Sequence, residues 1–167
     1  MKLRKPVCMN CGGDPGVNAG MLSSFMRYSR TPQQVANIRR GGYVLIDVPG
    51  TPEALVIATG SEIGIAAQAV NAANAAGRRV RLGSMPSTES FEAQDATYRE
   101  TVLPRAVTRR LAVEAGARQS WWRYVGSAGR VLGIDRFGAS GKIADVYPYF
   151  GFTADNVGQQ IRELLEE

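Results

Sequence analysis

A continuous apolar segment that runs directly into a helical pattern constrains the fold of this chain more than any other feature. Residues 54–59 read ALVIAT, and residues 62–76 then place apolar side chains at helical spacing. Residues 78–86 return as a strand, with Val80 and Leu82 on one face. An unbroken apolar strand is typical of a sheet covered on both faces, and a strand–helix–strand unit of this length favours a parallel pair with a right-handed crossover.

Further strands and helices alternate along the rest of the chain. Additional strands are predicted at 43–47, 108–116 and 129–135. Helices are predicted at 31–38 with Thr31 as the cap, at 87–94 with Ser87 or Thr88 as the cap, at 95–103, at 142–151 with an interruption at Pro148, and at 153–167 with Thr153 as the cap. We therefore predict a three-layer α/β/α sandwich around a mostly parallel sheet of about five strands.

The length of 167 residues suits one domain with a short extension. We expect residues 1–28 to be a leader of loop or disorder, residues 29–42 to be a linker helix, and residues 43–167 to be the domain. No apolar run approaches the roughly 20 residues that cross a membrane, and the basic start lacks the apolar segment of a signal peptide. These features predict a cytoplasmic protein without a membrane partner.

The net charge of +5 is concentrated at the start of the chain. Residues 1–40 carry seven Lys and Arg side chains against one Asp, whereas residues 41–167 carry thirteen basic and fourteen acidic side chains. Nucleic-acid binding depends on clustered basic side chains that neutralise phosphates. Because the main domain has no basic excess, we predict no nucleic-acid partner.

The chain contains no histidine. Histidine is the commonest general base and the commonest zinc ligand, and a Ser–His or Cys–His pair cannot form without it. The residues therefore indicate a fold without a self-sufficient active site, and we predict no catalytic residue and no metal ligand in this chain.

The turn Thr59-Gly60-Ser61-Glu62 joins the buried strand to the long helix. A helix N-terminus at the carboxyl end of a strand can bind an anion through free N–H groups, which makes Thr59, Gly60 and Ser61 weak candidates for an anion or regulatory site. The turn matches neither phosphate-binding pattern, GxxxxGKS/T or GxGxxG, and Glu62 would repel a phosphate. Because Thr59 and Glu62 have capping-box spacing, a cap and tight turn is the favoured interpretation.

Cys8 and Cys11 form a Cys-x-x-Cys motif in the glycine-rich leader. A structural zinc site needs four ligands, and a thioredoxin-like motif follows a strand and opens a helix. Two reduced thiols without a special role are therefore the favoured interpretation. A small nucleic-acid-binding or redox protein that uses this basic leader is the less favoured alternative.

Two clusters in the body of the chain have a structural and a functional interpretation. Trp121, Trp122 and Tyr124 could stack on a base or ring, but adjacent aromatic side chains in an α/β domain more often pack in a core or an interface. Three carboxylates near a helix start are interpreted as a solvated face and not as a metal cluster: Glu89, Glu92 and Asp95.

A series of short segments, in this order and at this spacing, allows a family to be suggested. The segments are ANIRRGGYVLID, LVIATGSE, VRLGSMPSTESFEAQDATYRETVLP, RLAVEAG, WWRYVG, FGAS and YFGFTADNV. Together they resemble the C-terminal domain of transketolase over about residues 29–167. Each segment alone is weak, and the specificity lies in their number and order.

The resemblance implies a thiamine-diphosphate enzyme of the pentose phosphate pathway, which transfers ketol groups between sugar phosphates and forms homodimers. In that family the first two domains bind the cofactor and a divalent metal, Mg or Ca, and carry the catalytic glutamate and the histidines that contact sugar phosphates. None of those positions has a match here. The resemblance thus implies that this chain alone is inactive, binds no cofactor, and serves in dimer packing or regulation with a second copy or the remaining transketolase domains. A separately encoded subunit of a split enzyme is the alternative.

The sequence departs from the family pattern in two places. Family members usually continue FG-x-S with Ala-Pro, whereas Ser140 is followed here by Gly141 and Lys142. Residues 1–28 do not resemble the end of the pyrimidine-binding domain that precedes this domain in the family. A cloning remnant, a shifted reading frame and the new start of a truncated gene are the alternatives for that leader.

Overall fold

A computed structural model describes residues 30–166, which form a five-stranded sheet in the order β1-β3-β2-β4-β5. Strand β1 pairs antiparallel with β3, and the other neighbours are parallel. The strands are β1 (Tyr43–Ile46), β2 (Ala54–Ala58), β3 (Val80–Ser84), β4 (Arg110–Val113) and β5 (Arg130–Leu132). The predicted leader and its Cys-x-x-Cys motif lie outside the described residues.

Helices cover both faces of this sheet, which confirms the predicted three-layer α/β/α arrangement. The α-helices are α1 (Pro32–Asn37), α2 (Ile63–Ala75), α3 (Thr88–Glu92), α4 (Ala96–Val102), α5 (Trp122–Val125), α6 (Ile143–Tyr149) and α7 (Ala154–Glu166). Three 3-10 turns add Ile38–Arg40, Gly60–Glu62 and Arg118–Trp121.

Alternate residues of the central strands supply two separate cores. Val56 and Leu111 face a core that includes residues of α2 and α7, whereas Ile57 and Ala112 face a core that includes residues of α3, α4 and α5. All five residues of β2 are buried, as expected for a strand covered on both faces. The apolar stripe predicted on α7 is confirmed, because Val157, Ile161 and Leu164 are buried.

Local signals placed several helix ends correctly. Thr31 and Gln34 form the predicted capping box at the start of α1, and Ser87 accepts a hydrogen bond from the backbone N–H of Ser90 at the start of α3. The Thr153 hydroxyl accepts from the backbone N–H of Asn156. The predicted interruption at Pro148 is wrong, because α6 contains this proline and continues to Tyr149.

Strands β2 and β4 are neighbours whose connections leave toward opposite faces of the sheet. The chain leaves β2 into α2 on one face, and it leaves β4 into the aromatic segment and α5 on the other. The two carboxyl ends therefore border a crevice between diverging loops. In open α/β sheets this switch point is the usual position of a ligand site.

Candidate functional site

The turn after β2 forms one wall of the switch-point crevice. Gly60 has a φ of +53°, and residues Gly60–Glu62 form a single 3-10 turn. The predicted tight turn is thus confirmed. The predicted cap is wrong, because the Thr59 side chain makes no capping hydrogen bond and Glu62 points into the protein, where it is only 3% exposed.

Glu62 is held by two hydroxyl groups. The Ser61 Oγ donates to Glu62 Oε1 at 2.8 Å, and the Tyr147 hydroxyl donates to the same oxygen at 2.6 Å. The Ser61 and Tyr147 oxygens are themselves 2.6 Å apart. These contacts compensate the burial of an acidic side chain and fasten α6 to the turn.

This hydrogen-bond network uses the Ser61 hydroxyl, which belongs to the turn predicted as a weak anion site. The structure brings Thr59, Gly60 and Ser61 together at the carboxyl edge of the sheet, but the Ser61 hydroxyl is already bound to Glu62 and Tyr147. Burial, followed by the hydrogen bond to Glu62, raises the pKa of Tyr147 to about 12, so its hydroxyl stays protonated as a donor. The anion site at this turn stays a prediction.

Glu114 follows β4 and forms the opposite wall of the crevice. Its side chain is half-buried, and its Oε2 atom is buried without a hydrogen-bond partner in the described part of the chain. Burial, reinforced by the negative charge of Glu62, raises the pKa of Glu114 to about 7. The carboxyl group therefore changes charge near neutral pH.

Between these elements lies a cavity of roughly 570 Å³, which we call the switch-point cavity. Its lining includes Thr59, Ser87, Glu89, Glu114, Trp121 and Tyr124.

Two members of the aromatic cluster predicted from the sequence, Trp121 and Tyr124, line this cavity. Trp121 and Tyr124 are each 5% exposed and their ring centroids lie 5.8 Å apart, which confirms packing for both, whereas Trp122 is 45% exposed. The Tyr124 hydroxyl is buried, and Glu92 and Thr88 are its nearest hydrogen-bonding side chains. Burial, followed by the nearby Glu92 carboxylate, raises the pKa of Tyr124 to about 12.

The three carboxylates interpreted as a solvated face have separate roles. Asp95 caps α4 by accepting from the backbone N–H of Tyr98, and Glu92 pairs with Arg99 at 3.1 Å and Arg123 at 3.5 Å. The solvated interpretation therefore holds for the exposed Glu89 and Asp95, whereas Glu92 is only partly exposed. Within residues 30–166, no group of three or more Cys, Asp or Glu side chains is placed to hold a metal ion.

The chain matches a known protein family over most of the described residues. The family described as "Transketolase-like TK C-terminal domain" matches residues 41–153. The chain belongs to the transketolase C-terminal domain family. The comparisons therefore favour the transketolase resemblance over a small nucleic-acid-binding or redox protein.

Complete transketolases are similar to this chain over about one fifth of their own length. The chain is 51% identical to Transketolase 1 of Vibrio cholerae over 136 residues, which are 81% of this chain and 20% of the relative. It is 52% identical to Transketolase 1 of Escherichia coli over 152 residues, which are 90% of this chain and 23% of the relative. The chain thus spans about a fifth of the length of the transketolases it matches.

A solved transketolase structure has the same fold as this chain and is more than 30% identical to it in sequence. The transketolase from Leishmania mexicana superimposes with a TM-score of 0.72 and 36% identity, over 79% of this chain and 19% of that protein. The mostly parallel sheet between two helical layers is therefore the transketolase C-terminal domain fold.

Two residues of this region, Glu114 and Tyr147, were not predicted from the sequence. Glu114 reads as an ordinary polar residue at a strand end, and Tyr147 lies in a short helix whose position relative to the sheet no local pattern specifies. Glu114 could have been predicted, because polar residues that follow neighbouring parallel strands meet at the same edge of the sheet, and Glu114 follows β4. No comparable signal pointed to Tyr147.

Proposed function

We propose that this chain functions as the C-terminal domain of a transketolase, which transfers ketol groups between sugar phosphates in the pentose phosphate pathway. The observation that carries the proposal is the family match over residues 41–153, together with about 50% identity to complete transketolases over one fifth of their length. In this proposal the domain supports the enzyme's architecture, and the chemistry belongs to the other domains.

The cofactor of such an enzyme, thiamine diphosphate with Mg or Ca, does not fit the residues described here. The chain has no histidine, and residues 30–166 place no three acidic or thiol side chains together as a metal site. No catalytic step through the cofactor is therefore assigned to these residues. We propose that binding and activation of the cofactor are functions of the remaining four fifths of the enzyme.

Contact with the remaining transketolase domains, or with a second copy in a homodimer, is the proposed role of the exposed apolar surface. Phe137 is 98% exposed and Tyr149 62% exposed, and Trp122 lies with Phe137 along one shallow depression. Large exposed aromatic side chains that lie together are typical of an interaction surface.

The location and the remaining partners follow from the same proposal. Within residues 30–166, no helix combines the length and the apolar character that crossing a bilayer requires. We propose a cytoplasmic protein with neither a membrane nor a nucleic-acid partner, in which the turn at Thr59, Gly60 and Ser61 is at most a regulatory site.

A domain replacement tests the proposed function. Residues 30–167 of this chain would replace the corresponding domain of Escherichia coli Transketolase 1, with the enzyme truncated before that domain as the control. We expect the hybrid to retain turnover of a ketose phosphate within about tenfold of the parent, and the isolated chain to have none. A folded hybrid without activity, or turnover by the isolated chain, would contradict the proposal.

The same truncated enzyme distinguishes a domain from a split subunit. The chain is added in trans, and activity and co-elution on a sizing column are measured. Recovery of activity on mixing would favour a separately encoded subunit, whereas activity of the covalent hybrid alone would favour a domain of one polypeptide.

A further inference from the structure

Two loops meet beside the amino-terminal ends of β4 and β5, which are parallel neighbours. One loop joins α4 to β4, and the other joins α5 to β5. A depression of roughly 300 Å³ is lined by both loops, and we call it the arginine depression. No acidic side chain of the described residues belongs to its lining, which includes Arg105, Thr108, Arg110, Arg123, Gly126 and Ser127. Three positive charges therefore share one small volume.

Arg110 is partly buried, yet no carboxylate within residues 30–166 forms an ion pair with its guanidinium group. Its N–H groups donate instead to backbone carbonyl oxygens, which carry no full negative charge. Burial lowers the pKa of Arg110, and the attraction of Glu100 only partly opposes this. A partly buried cation normally recruits a counter-ion, as Arg81 does from Asp47 at 2.7 Å. An anion from solution can supply the negative charge that Arg110 lacks.

The other two arginines of the depression are accessible to a ligand. The Arg105 side chain is 87% exposed and lies 3.8 Å from Glu100, and the Arg123 side chain is 63% exposed and lies 3.5 Å from Glu92. Exposed ion pairs of this kind contribute little free energy, because water screens both charges. Both guanidinium groups can therefore turn toward a bound anion at small cost.

Uncharged donors complete the lining of the depression. Thr108 and Ser127 are exposed, and neither hydroxyl is hydrogen-bonded to any residue that the structure describes. The backbone N–H groups of Ser127 and Ala128 are likewise free of backbone partners within residues 30–166, because the turn after Gly126 interrupts regular hydrogen bonding. Accessible hydroxyl and N–H groups beside arginines are typical of sites that bind phosphate.

The charges in and around the depression select the class of anion. A planar guanidinium group can pair with two phosphate oxygens at once, and three positive charges favour a dianion over a singly charged carboxylate. An adjoining cavity of roughly 180 Å³ shares the three arginines but is also lined by Glu92 and Glu100. These carboxylates would repel the successive phosphates of a nucleic acid. The depression therefore favours a single phosphate group.

We propose that the arginine depression binds the phosphate group of a small phosphate monoester. Arg105 and Arg123 pair with the phosphate oxygens, the two hydroxyl groups donate hydrogen bonds, and Arg110 adds its charge. The proposal uses only side chains of this chain and does not rest on the proposed transketolase role. The depression lies at the opposite edge of the sheet from the turn at residues 59–61, whose anion site is a separate prediction.

The experiment titrates the whole chain with inorganic phosphate at neutral pH and low salt. NMR follows the backbone amides of Ser127 and Ala128 and the Nε–H signals of the arginine side chains. Glycerol 3-phosphate supplies a monoester, acetate supplies a singly charged anion, and a short oligothymidylate supplies a polyanion.

Three substitutions assign the binding to the depression. Arg105→Gln removes one phosphate contact. Arg109→Gln removes an equal charge from an exposed neighbour outside the lining, and it is the matched control. Glu100→Gln removes the carboxylate that competes for Arg105, while its amide oxygen can still accept from the Arg105 backbone N–H.

We expect phosphate and glycerol 3-phosphate to bind with dissociation constants of about 1 mM, and acetate to bind about tenfold more weakly. Binding should weaken about fivefold in Arg105→Gln, change by less than about twofold in Arg109→Gln, and become about threefold tighter in Glu100→Gln. Added salt should weaken it several-fold, since the contacts are exposed.

Several outcomes would overturn the proposal. These are absence of phosphate binding, binding of inorganic phosphate without glycerol 3-phosphate, equal binding of acetate, and much tighter binding of the oligothymidylate. Equal weakening in Arg105→Gln and Arg109→Gln would also overturn it, because the attraction would then be a diffuse property of the surface. The expected gain in Glu100→Gln keeps the test decisive if Arg105→Gln does not fold.

Discussion

Tyr147 donates a hydrogen bond to Glu62 across 85 residues of sequence, and this bond fastens helix α6 to the turn that follows strand β2. The bond is 2.6 Å long, and Ser61 completes a triangle of oxygen atoms. Glu62 is 3% exposed, so its carboxyl group depends on these two donors rather than on water. The position of α6 at the edge of the sheet therefore depends on a polar contact as well as on apolar packing.

Tyr147→Phe tests this dependence. The substitution keeps the ring that packs against Phe152 and removes one of the two donors on Glu62. We expect the free energy of unfolding to fall by about 1–3 kcal/mol, because a buried acceptor loses a charge-assisted bond. Urea unfolding at neutral pH measures the change.

Tyr149→Phe is the matched control for that substitution. Tyr149 lies on the same helix but is 62% exposed, and its hydroxyl accepts only an exposed bond from Arg136. A change within about 0.5 kcal/mol is expected there. Equal effects of the two substitutions would show that the bond to Glu62 contributes nothing specific.

Features that depend only on neighbouring residues in the sequence, such as helix caps, could be predicted from sequence patterns. The capping box of Thr31 and Gln34 formed as predicted, because its contacts all lie within four residues. Thr59 and Glu62 have the same spacing, but no capping box formed, since Glu62 instead meets a tyrosine from the far end of the chain. The unpartnered Glu114 was missed for a related reason: its environment is created by neighbouring strands and helices that no local window contains.

Glu114→Gln should stabilise the protein in a pH-dependent manner. The pKa of Glu114 is raised from 4.5 to about 7 by burial and by Glu62, so the folded state holds its proton over a range where the unfolded state has lost it. Stability from this group is therefore fully present below about pH 4.5, falls between about pH 4.5 and 7, and is constant above pH 7.

The Glu114→Gln variant has no titrating group at this position and therefore does not lose this stability as the pH rises. We expect its advantage over the unmodified chain to be about 1–3 kcal/mol larger at pH 8 than at pH 4. Denaturant unfolding of both proteins across this range measures the difference. Parallel pH profiles for the two proteins would show that Glu114 is not perturbed in the folded state.

Gly41→Ala should be strongly destabilising. Gly41 has a φ of +84°, and a Cβ there would lie 2.3 Å from the Ser87 carbonyl oxygen and 2.4 Å from the Phe91 nitrogen. Both atoms are backbone, so relief requires movement of α3. We expect a loss of about 3 kcal/mol or more, which a thermal melt detects as a shift of several degrees.

Gly50→Ala separates conformational strain from close packing. Gly50 has a similar φ of +73°, but no atom lies within 4 Å of a Cβ built there. The expected cost is about 1 kcal/mol, from the left-handed backbone alone. Comparable losses at Gly41 and Gly50 would contradict the close approach of α3.

Arg110 ties β4 to the loop that follows α4 and to helix α5, and its loss should be more damaging than that of the exposed Arg109. Its guanidinium group donates to the carbonyl oxygens of Val107, Pro104 and Tyr124 at 2.7–2.8 Å. Arg110→Met keeps much of the side-chain volume but leaves these three carbonyl groups without their donor. We expect the free energy of unfolding to fall by about 3 kcal/mol, because partly buried acceptors lose charge-assisted bonds.

Arg109→Met is the control for this substitution, because Arg109 is the preceding residue and is exposed. Its substitution should change the free energy of unfolding by less than about 0.5 kcal/mol. Chemical denaturation of both variants gives the comparison. Because Arg110 connects the end of α4 to α5, its loss should also increase amide hydrogen exchange in residues 103–107 and 124–126, whereas Arg109→Met should leave exchange in both segments unchanged. Exchange that rises equally in both variants, or in neither, would show that the carbonyl contacts of Arg110 do not hold these two segments.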